Sequence, residues 1–213
     1  MYTPHLTPIQ MPQLLTQNTK LRKTSEAIGL KVMNFGIPAY EDPETGRRTC
    51  PFAGSCASFC YAQKGAYAWS NVKPAFVWRY EQTKSDGFVD AMVSEITRKK
   101  ADMVRVHDSG DYYSNEYIDK WMAIAKALPH VRFYSYTKSV PLFLDRVWPD
   151  NFDIIFSEGG TKDDLIDPTK HRHCRIFDSY EAMAQADYVN AMDSDVMATK
   201  WYNDSPNVGL VFH

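Results

Sequence analysis

Short apolar runs alternate with amphipathic stretches along most of this 213-residue chain, and that alternation limits the fold more than any other feature. Residues 30–36, 103–107, 131–136 and 152–156 read as strands, with weaker candidates at 175–177 and 186–189 and a closing strand at 208–212. Between them lie helical patterns. Residues 71–84 carry apolar positions at helical spacing. Asp86 is placed to cap a helix with Phe88, Met92 and Ile96 on one face, and Ser114 to cap one with Tyr117, Trp121, Ile124 and Leu128 turned inward. Residues 140–147 read as a short helix. Strand–helix alternation with short connections builds a parallel sheet through right-handed crossovers. The expected fold is therefore α/β: a (β/α) barrel or partial barrel of about six mostly parallel strands in one domain, residues 26–213. Residues 1–25 read as an extended arm, because Pro4, Pro8 and Pro12 recur every four residues.

In such folds the working groups collect at the C-terminal ends of the strands. Polar residues gather there: His107-Asp108-Ser109-Gly110-Asp111 after one strand, Ser135, Thr137 and Lys138 at the next, Ser157-Glu158-Gly159-Gly160 after a third, and His213 after the last. His107, Asp108, Asp111 and Glu158 are the candidate acid–base residues of a catalytic pocket for a small-molecule substrate. Gly110, Lys138 and Gly159 are candidates for holding a cofactor, the glycines by close backbone approach and the lysine by charge. The competing reading of the His107–Asp111 run is a turn that caps the following helix.

The loop after the first strand holds the sharpest signal. Cys50, Cys56 and Cys60, three of four cysteines, fall within eleven residues as C-x5-C-x3-C. Pro51, Gly54 and Ser55 make this a loop rather than a core element, so three buried hydrophobes is the weaker account. Three thiolates and one remote ligand hold iron–sulfur clusters and some zinc sites. Zinc modules usually show paired C-x2-C knuckles, and none is present, so one [4Fe–4S] cluster is the expected cofactor. Zinc on the three thiols and a histidine is the other assignment, and it would make the chain a zinc-stabilised nucleic-acid-binding module, the least favoured of the three functional readings. Cys174, in His171-Arg172-His173-Cys174, is the candidate fourth ligand, with His171 and His173 as nitrogen alternatives. A closed four-thiolate cluster suits redox or regulatory work without catalysis; an open iron suits an enzyme.

A net charge of −2 argues against wholesale electrostatic binding of nucleic acid, though a local basic patch survives that balance. No apolar stretch reaches the roughly 20 residues of a membrane span, and the N-terminus has no secretory pattern. Clustered thiols without an export signal suit a reducing cytoplasm.

A cysteine-rich loop after the first strand of a partial barrel, with Tyr61 beside the last cysteine, resembles the radical S-adenosylmethionine superfamily. That resemblance implies S-adenosylmethionine as a second cofactor. The usual C-x3-C-x2-C spacing is replaced here by C-x5-C-x3-C, and His107–Asp111 stands where Gly-Gly-Glu is usual. The segments TCPFAGSCASFCYA, VRVHDSGDYYS and FYSYTKS are more closely similar to the bacteriophage gene product 88 domain, over residues 28–213. This second resemblance implies a phage origin, a host-cytoplasmic location and a cysteine-bound cluster.

Overall fold

The computed structural model describes residues 13–212. Its helices are α1 (Thr19–Ile28), α2 (Cys56–Phe59), α3 (Lys73–Lys84), α4 (Phe88–Lys99), α5 (Asn115–Ala127) and α6 (Tyr180–Gln185). Its strands are β1 (Val32–Phe35), β2 (Glu41–Asp42), β3 (Arg47–Arg48), β4 (Met103–Val106), β5 (Arg132–Thr137), β6 (Phe152–Ser157), β7 (His173–Phe177), β8 (Val189–Asn190) and β9 (Asn207–Val211). Seven strands form one sheet in the order β1-β4-β5-β6-β7-β9-β8, and each neighbouring pair is parallel. β2 and β3 form a separate antiparallel hairpin.

The parallel α/β reading holds, but closure does not. Among the described residues the sheet is open: β1 and β8 are its outermost strands, and Thr16 makes a single antiparallel bridge to Asn34 on the outer side of β1. β9 inserts between β7 and β8, and the two-residue β8 ends the sheet without meeting β1.

The two faces of the sheet are covered differently. On one face, Phe35, Val104, Val106 and Phe133 pack against Phe88, Met92 and Ile96 of α4 and Tyr117, Trp121 and Ile124 of α5. The rings meet edge to face, with Trp121 5.3 Å from Phe35 and 5.8 Å from Phe88. Burial of such side chains contributes roughly 1.5–3 kcal/mol each. On the opposite face, Val32, Met103, Tyr134, Ile155, Cys174 and Val208 pack against Leu21 of α1 and against Ala191, Val196 and Ala198. Arg105 also points to this face, where it pairs with buried Asp195; Lys20 of α1 bonds the same carboxylate at 2.7 Å.

Three local expectations need correction. The stretch read as an extended arm ends in a helix. No proline lies between Pro12 and Pro38, Asn18 accepts the Leu21 amide at 2.9 Å, and Gly29 at φ +68° ends α1. The three prolines behind that reading, like His213, lie outside the described residues. Asp86 does not cap α4: Gly87 occupies that position, and its amide is taken by the Ser85 hydroxyl. Residues 140–147 yield only a 3₁₀ turn at Val140–Leu142. Ser114 does cap α5, accepting the Tyr117 amide at 3.2 Å. Among the described residues no helix is long and apolar enough to cross a membrane.

Candidate functional site

The cysteine loop is anchored before its first thiol. Arg47 of the β2–β3 hairpin bonds Asp42 at 2.8 Å, and buried Thr49 donates its amide to the Tyr40 carbonyl (2.7 Å) and its hydroxyl to the Pro38 carbonyl (2.5 Å). The chain therefore returns to where it left β1, and the Tyr40 amide points at Cys50 Sγ, 3.3 Å away. Cys56 then opens α2, and Cys60 follows its last residue. The loop lies on the turn after β6. Ala53 and Gly160 form an antiparallel bridge, the Thr161 amide donates to the Phe52 carbonyl at 2.9 Å, and the Cys56 amide faces the Gly159 carbonyl at 3.5 Å.

Cys50, Cys56 and Cys60 are half-buried, whereas Cys174 is 1% exposed. Burial pushes the Cys50 thiol up to about 12; the Asp111 carboxylate and Cys60 add to the rise, and the Tyr40 amide opposes it. Burial also raises Cys56, against the Lys138 ammonium. Cys174 goes up to about 12 from burial, with Lys138 again the leading opposing charge. Cys174 sits at the second residue of β7, yet β7 is displaced along the sheet so that Cys174 pairs with Ser157, the last residue of β6. It is thereby level with the strand ends that carry the cysteine loop. Among the described residues, no three His, Cys, Asp or Glu side chains converge as they would around a single metal ion.

Lys138 is the hub of this end. Its Nζ donates to the Ser157 hydroxyl (2.7 Å) and to the Ser157 and Glu158 carbonyls (3.1 and 2.8 Å). Asp111 holds the backbone there: Oδ2 accepts the Lys138 amide at 2.8 Å, and Oδ1 accepts the Thr137 hydroxyl at 2.6 Å and the Tyr112 amide at 2.7 Å. Burial raises the Asp111 pKa, although these hydrogen bonds oppose the rise. Gly110, at φ +80°, lies where a Cβ would stand 2.4 Å from Ile37, so only glycine lets this turn approach the exit of β1.

The remaining candidates separate. Asp108 turns to the α1 face and accepts Asn34 Nδ2 at 2.7 Å; its Oδ1 has no protein partner, and burial raises its pKa. The Glu158 carboxylate accepts from Arg175 Nε at 2.6 Å and lies 3.9 Å from His173 Nε2. His107 takes φ +68°, which sends the ring into the helix-side core. There it lies 4.6 Å from the Tyr112 ring, and its Nε2 pairs with the Tyr117 hydroxyl at 2.8 Å. Burial, with Arg105 behind it, holds its imidazole at about 3. The structure thus brings Cys50, Cys56, Asp111, Lys138, Gly159 and Cys174 to one end, with the Glu158 carboxylate near enough to add to the rise of the Cys174 pKa, and it turns the His107 ring into the helix-side core. Sequence reading missed Asp163, whose carboxylate accepts the Gly159 and Gly160 amides at 2.7 and 2.9 Å, and Arg105, whose partner Asp195 lies far along the chain.

The neutral His107 makes stability depend on acid. An unfolded histidine binds a proton near pH 6.5, while the folded one resists until about 3. The unfolded state therefore binds more protons throughout this window, and stability falls as the pH drops through it. From pH 8 to pH 5 this group alone should remove about 2 kcal/mol. Buried Asp108 and Asp111, with raised pKa values, act in the opposite sense. His107→Asn, which tolerates a positive φ, isolates the histidine. Urea midpoints of the variant should vary less between pH 8 and 5 than those of the wild type; equal pH dependence would refute the assignment.

The Gene product 88 family profile matches residues 13–210. The Gene 88 protein of Mycobacterium phage L5 is 28% identical over 123 residues, covering 51% of this chain and 52% of that protein. The Gene 88 protein of Mycobacterium phage D29 is 25% identical over 123 residues, covering 51% of each. The chain spans about half the length of the curated relatives it matches. No solved structure matches it.

Proposed function

The chain belongs to the Gene product 88 family, and from that premise we propose that it is a phage iron–sulfur protein of the host cytoplasm. In this reading Cys50, Cys56 and Cys60 hold one [4Fe–4S] cluster at the C-terminal ends of the sheet strands. The observation that carries it is the docking of a three-thiol loop on those strand ends beside the Lys138 ammonium. The donor set fits. Three half-buried thiols stand on one loop, Cys174 is level with the same strand ends, and thiolates are the ligands that iron–sulfur clusters take.

The cluster, once bound, supplies one-electron chemistry. The chain's own part is electrostatic. Ionising a thiol of pKa about 12 at pH 7 costs about 7 kcal/mol, so loading must displace protons. Lys138 acts on both Cys56 and Cys174 in the direction that favours thiolate. Asp111 fixes the Lys138 backbone through its amide.

The consecutive β1-β4-β5-β6-β7 order, with α4 and α5 on one face and the cysteine loop after β1, also supports a radical-SAM-like partial barrel. S-adenosylmethionine and a small-molecule substrate would belong to that enzyme. The level of Cys174 with Ser157 favours a second reading, a closed four-cysteine cluster in a redox or regulatory protein.

Anaerobic purification tests the cluster. The wild type should carry about four iron and four sulfide per chain, and Cys56→Ser should lose colour and iron. Zinc alone in the wild type, or a fully loaded Cys56→Ser, would sink the reading. Cys174→Ala that keeps its iron, with S-adenosylmethionine perturbing the EPR signal of the reduced wild type, would favour the enzyme. Iron lost from Cys174→Ala would favour the closed cluster.

A further inference from the structure

Charge is unevenly placed along this chain. Residues 45–80 contain five basic residues and no acidic one, although about one residue in eight of the whole chain is acidic. The rest of the chain then carries −7 against the whole-chain −2. The same 36 residues hold eight aromatic side chains. Three of these stand out into solvent around the cysteine loop: Tyr61 at 60% exposure, Trp69 at 59% and Phe59 at 39%. Isolated exposed aromatics are common on proteins, but three on one loop interleaved with cations are not explained by core packing.

Two of these rings have side-chain contacts, and the third is placed by its backbone. The Tyr61 hydroxyl donates to the Asp108 carbonyl at 2.5 Å, and its ring meets that of Tyr67 at a steep angle, the centroids 5.7 Å apart. Phe59 meets Phe212 edge to face at 5.7 Å. The Trp69 carbonyl accepts the Val72 and Lys73 amides at the start of α3. A cavity of about 440 Å³ opens beside it, lined by Ser70, Lys73, Pro74, Val77 and Trp78. The exposed cations are Arg48, Lys64 and Lys73; Arg47 is already taken by Asp42. Glu41 and Asp42, next to Lys73 in a second cavity, mark the border of the basic surface.

Exposed aromatic rings with neighbouring cations are the pattern that takes unstacked bases and their phosphates. We propose that this loop surface docks a single-stranded polynucleotide, its bases on Trp69, Tyr61 and Phe59 and its phosphates on Arg48, Lys64 and Lys73. A duplex keeps its base faces covered and cannot use the rings. The overall negative charge sets the rest of the molecule against the strand and confines contact to this surface.

The probe is a fluorescein-labelled oligo-dT of about 12 nucleotides, followed by anisotropy at low and raised salt. Iron is measured on the same samples, so a lost cluster is told apart from a lost surface. The wild type should bind, and affinity should fall as salt rises. Trp69→Ala, an exposed position, should weaken binding about ten-fold at unchanged iron content, and Trp69→Phe should recover most of it. The double variant Lys64→Ala/Lys73→Ala should flatten the log–log salt slope by about 1.4. No binding at low salt would overturn the proposal. So would a duplex bound as tightly as the single strand together with an indifferent Trp69→Ala, since that is unspecific charge attraction.

Discussion

Arg105→Met should destabilise the protein by roughly 3–5 kcal/mol, a large fraction of the total stability of an ordinary domain. Arg105 comes from the middle of β4, and its guanidinium meets Asp195 on the α1 face, both side chains largely out of solvent. Burial pushes the Asp195 carboxyl up, but Arg105 and then Lys20 outweigh it and hold the pKa below its ordinary value. Methionine fills much of the same volume and removes the charge. Asp195 is left buried with only Lys20, itself 42% exposed and hydrated. The cost lies in the stranded carboxylate, so the double variant Arg105→Met/Asp195→Leu should regain most of the loss. A folded-state pKa below the unfolded one gives stability that is present above about pH 4 and disappears as the pH falls through the folded value. The single variant should therefore show a flatter acid limb than the wild type. Urea midpoints across pH 3–7 read both effects. A loss under about 1 kcal/mol, or a double variant no better than the single, would mean the pair does not hold α1 and residues 191–202 to the sheet.

Periodicity made the helix-side layer readable. Phe88, Met92 and Ile96, and Tyr117, Trp121 and Ile124, recur at helical spacing and all are buried against the sheet. Local hydrogen bonding made Ser114 readable as a cap, because its acceptor lies three residues from the amide it serves. Closure was not readable. It depends on which strand reaches the edge, and the insertion of β9 between β7 and β8 is a pairing between distant segments with no local signature. The Arg105–Asp195 pair was hidden for the same reason.

The candidate site divides along the same line. The cysteine loop announces itself by spacing and turn residues. The separation of His107 from Asp108 and Asp111 does not, because one positive φ at His107 decides which face the ring joins. Cys174 lies near the start of β7, which in an unshifted sheet would set it at the end away from the cysteine loop. The displaced β7 register cancels that distance, and register between parallel strands is fixed by packing on both faces rather than by either strand's own sequence.

Gly54→Ala should free the cysteine loop without touching a cysteine. A Cβ at this position would stand 2.7 Å from the Gly159 carbonyl oxygen and 2.8 Å from the Gly160 carbonyl carbon. Both are backbone atoms. The Gly159 and Gly160 amides are pinned by the Asp163 carboxylate, and Lys138 holds the Ser157 and Glu158 carbonyls just before them. The turn after β6 therefore cannot yield cheaply, and the cysteine loop has to lift at a cost of about 1–3 kcal/mol. The Thr161 amide then loses the Phe52 carbonyl, and Cys56 leaves the ground beside Lys138. Hydrogen exchange at Thr161 should quicken by roughly five- to a hundred-fold, in step with that free energy, while amides of β4 and β5 stay protected. On metal-free protein Cys56 should react with a thiol reagent faster than in the wild type, as solvent replaces the burial that raises its pKa. On the proposed cluster assignment, the iron content should fall severalfold. Unchanged exchange at Thr161 would show that the loop and the β6 turn are not in contact. Faster exchange with iron fully retained would show that the docking on the β6 turn is not what the proposed cluster depends on.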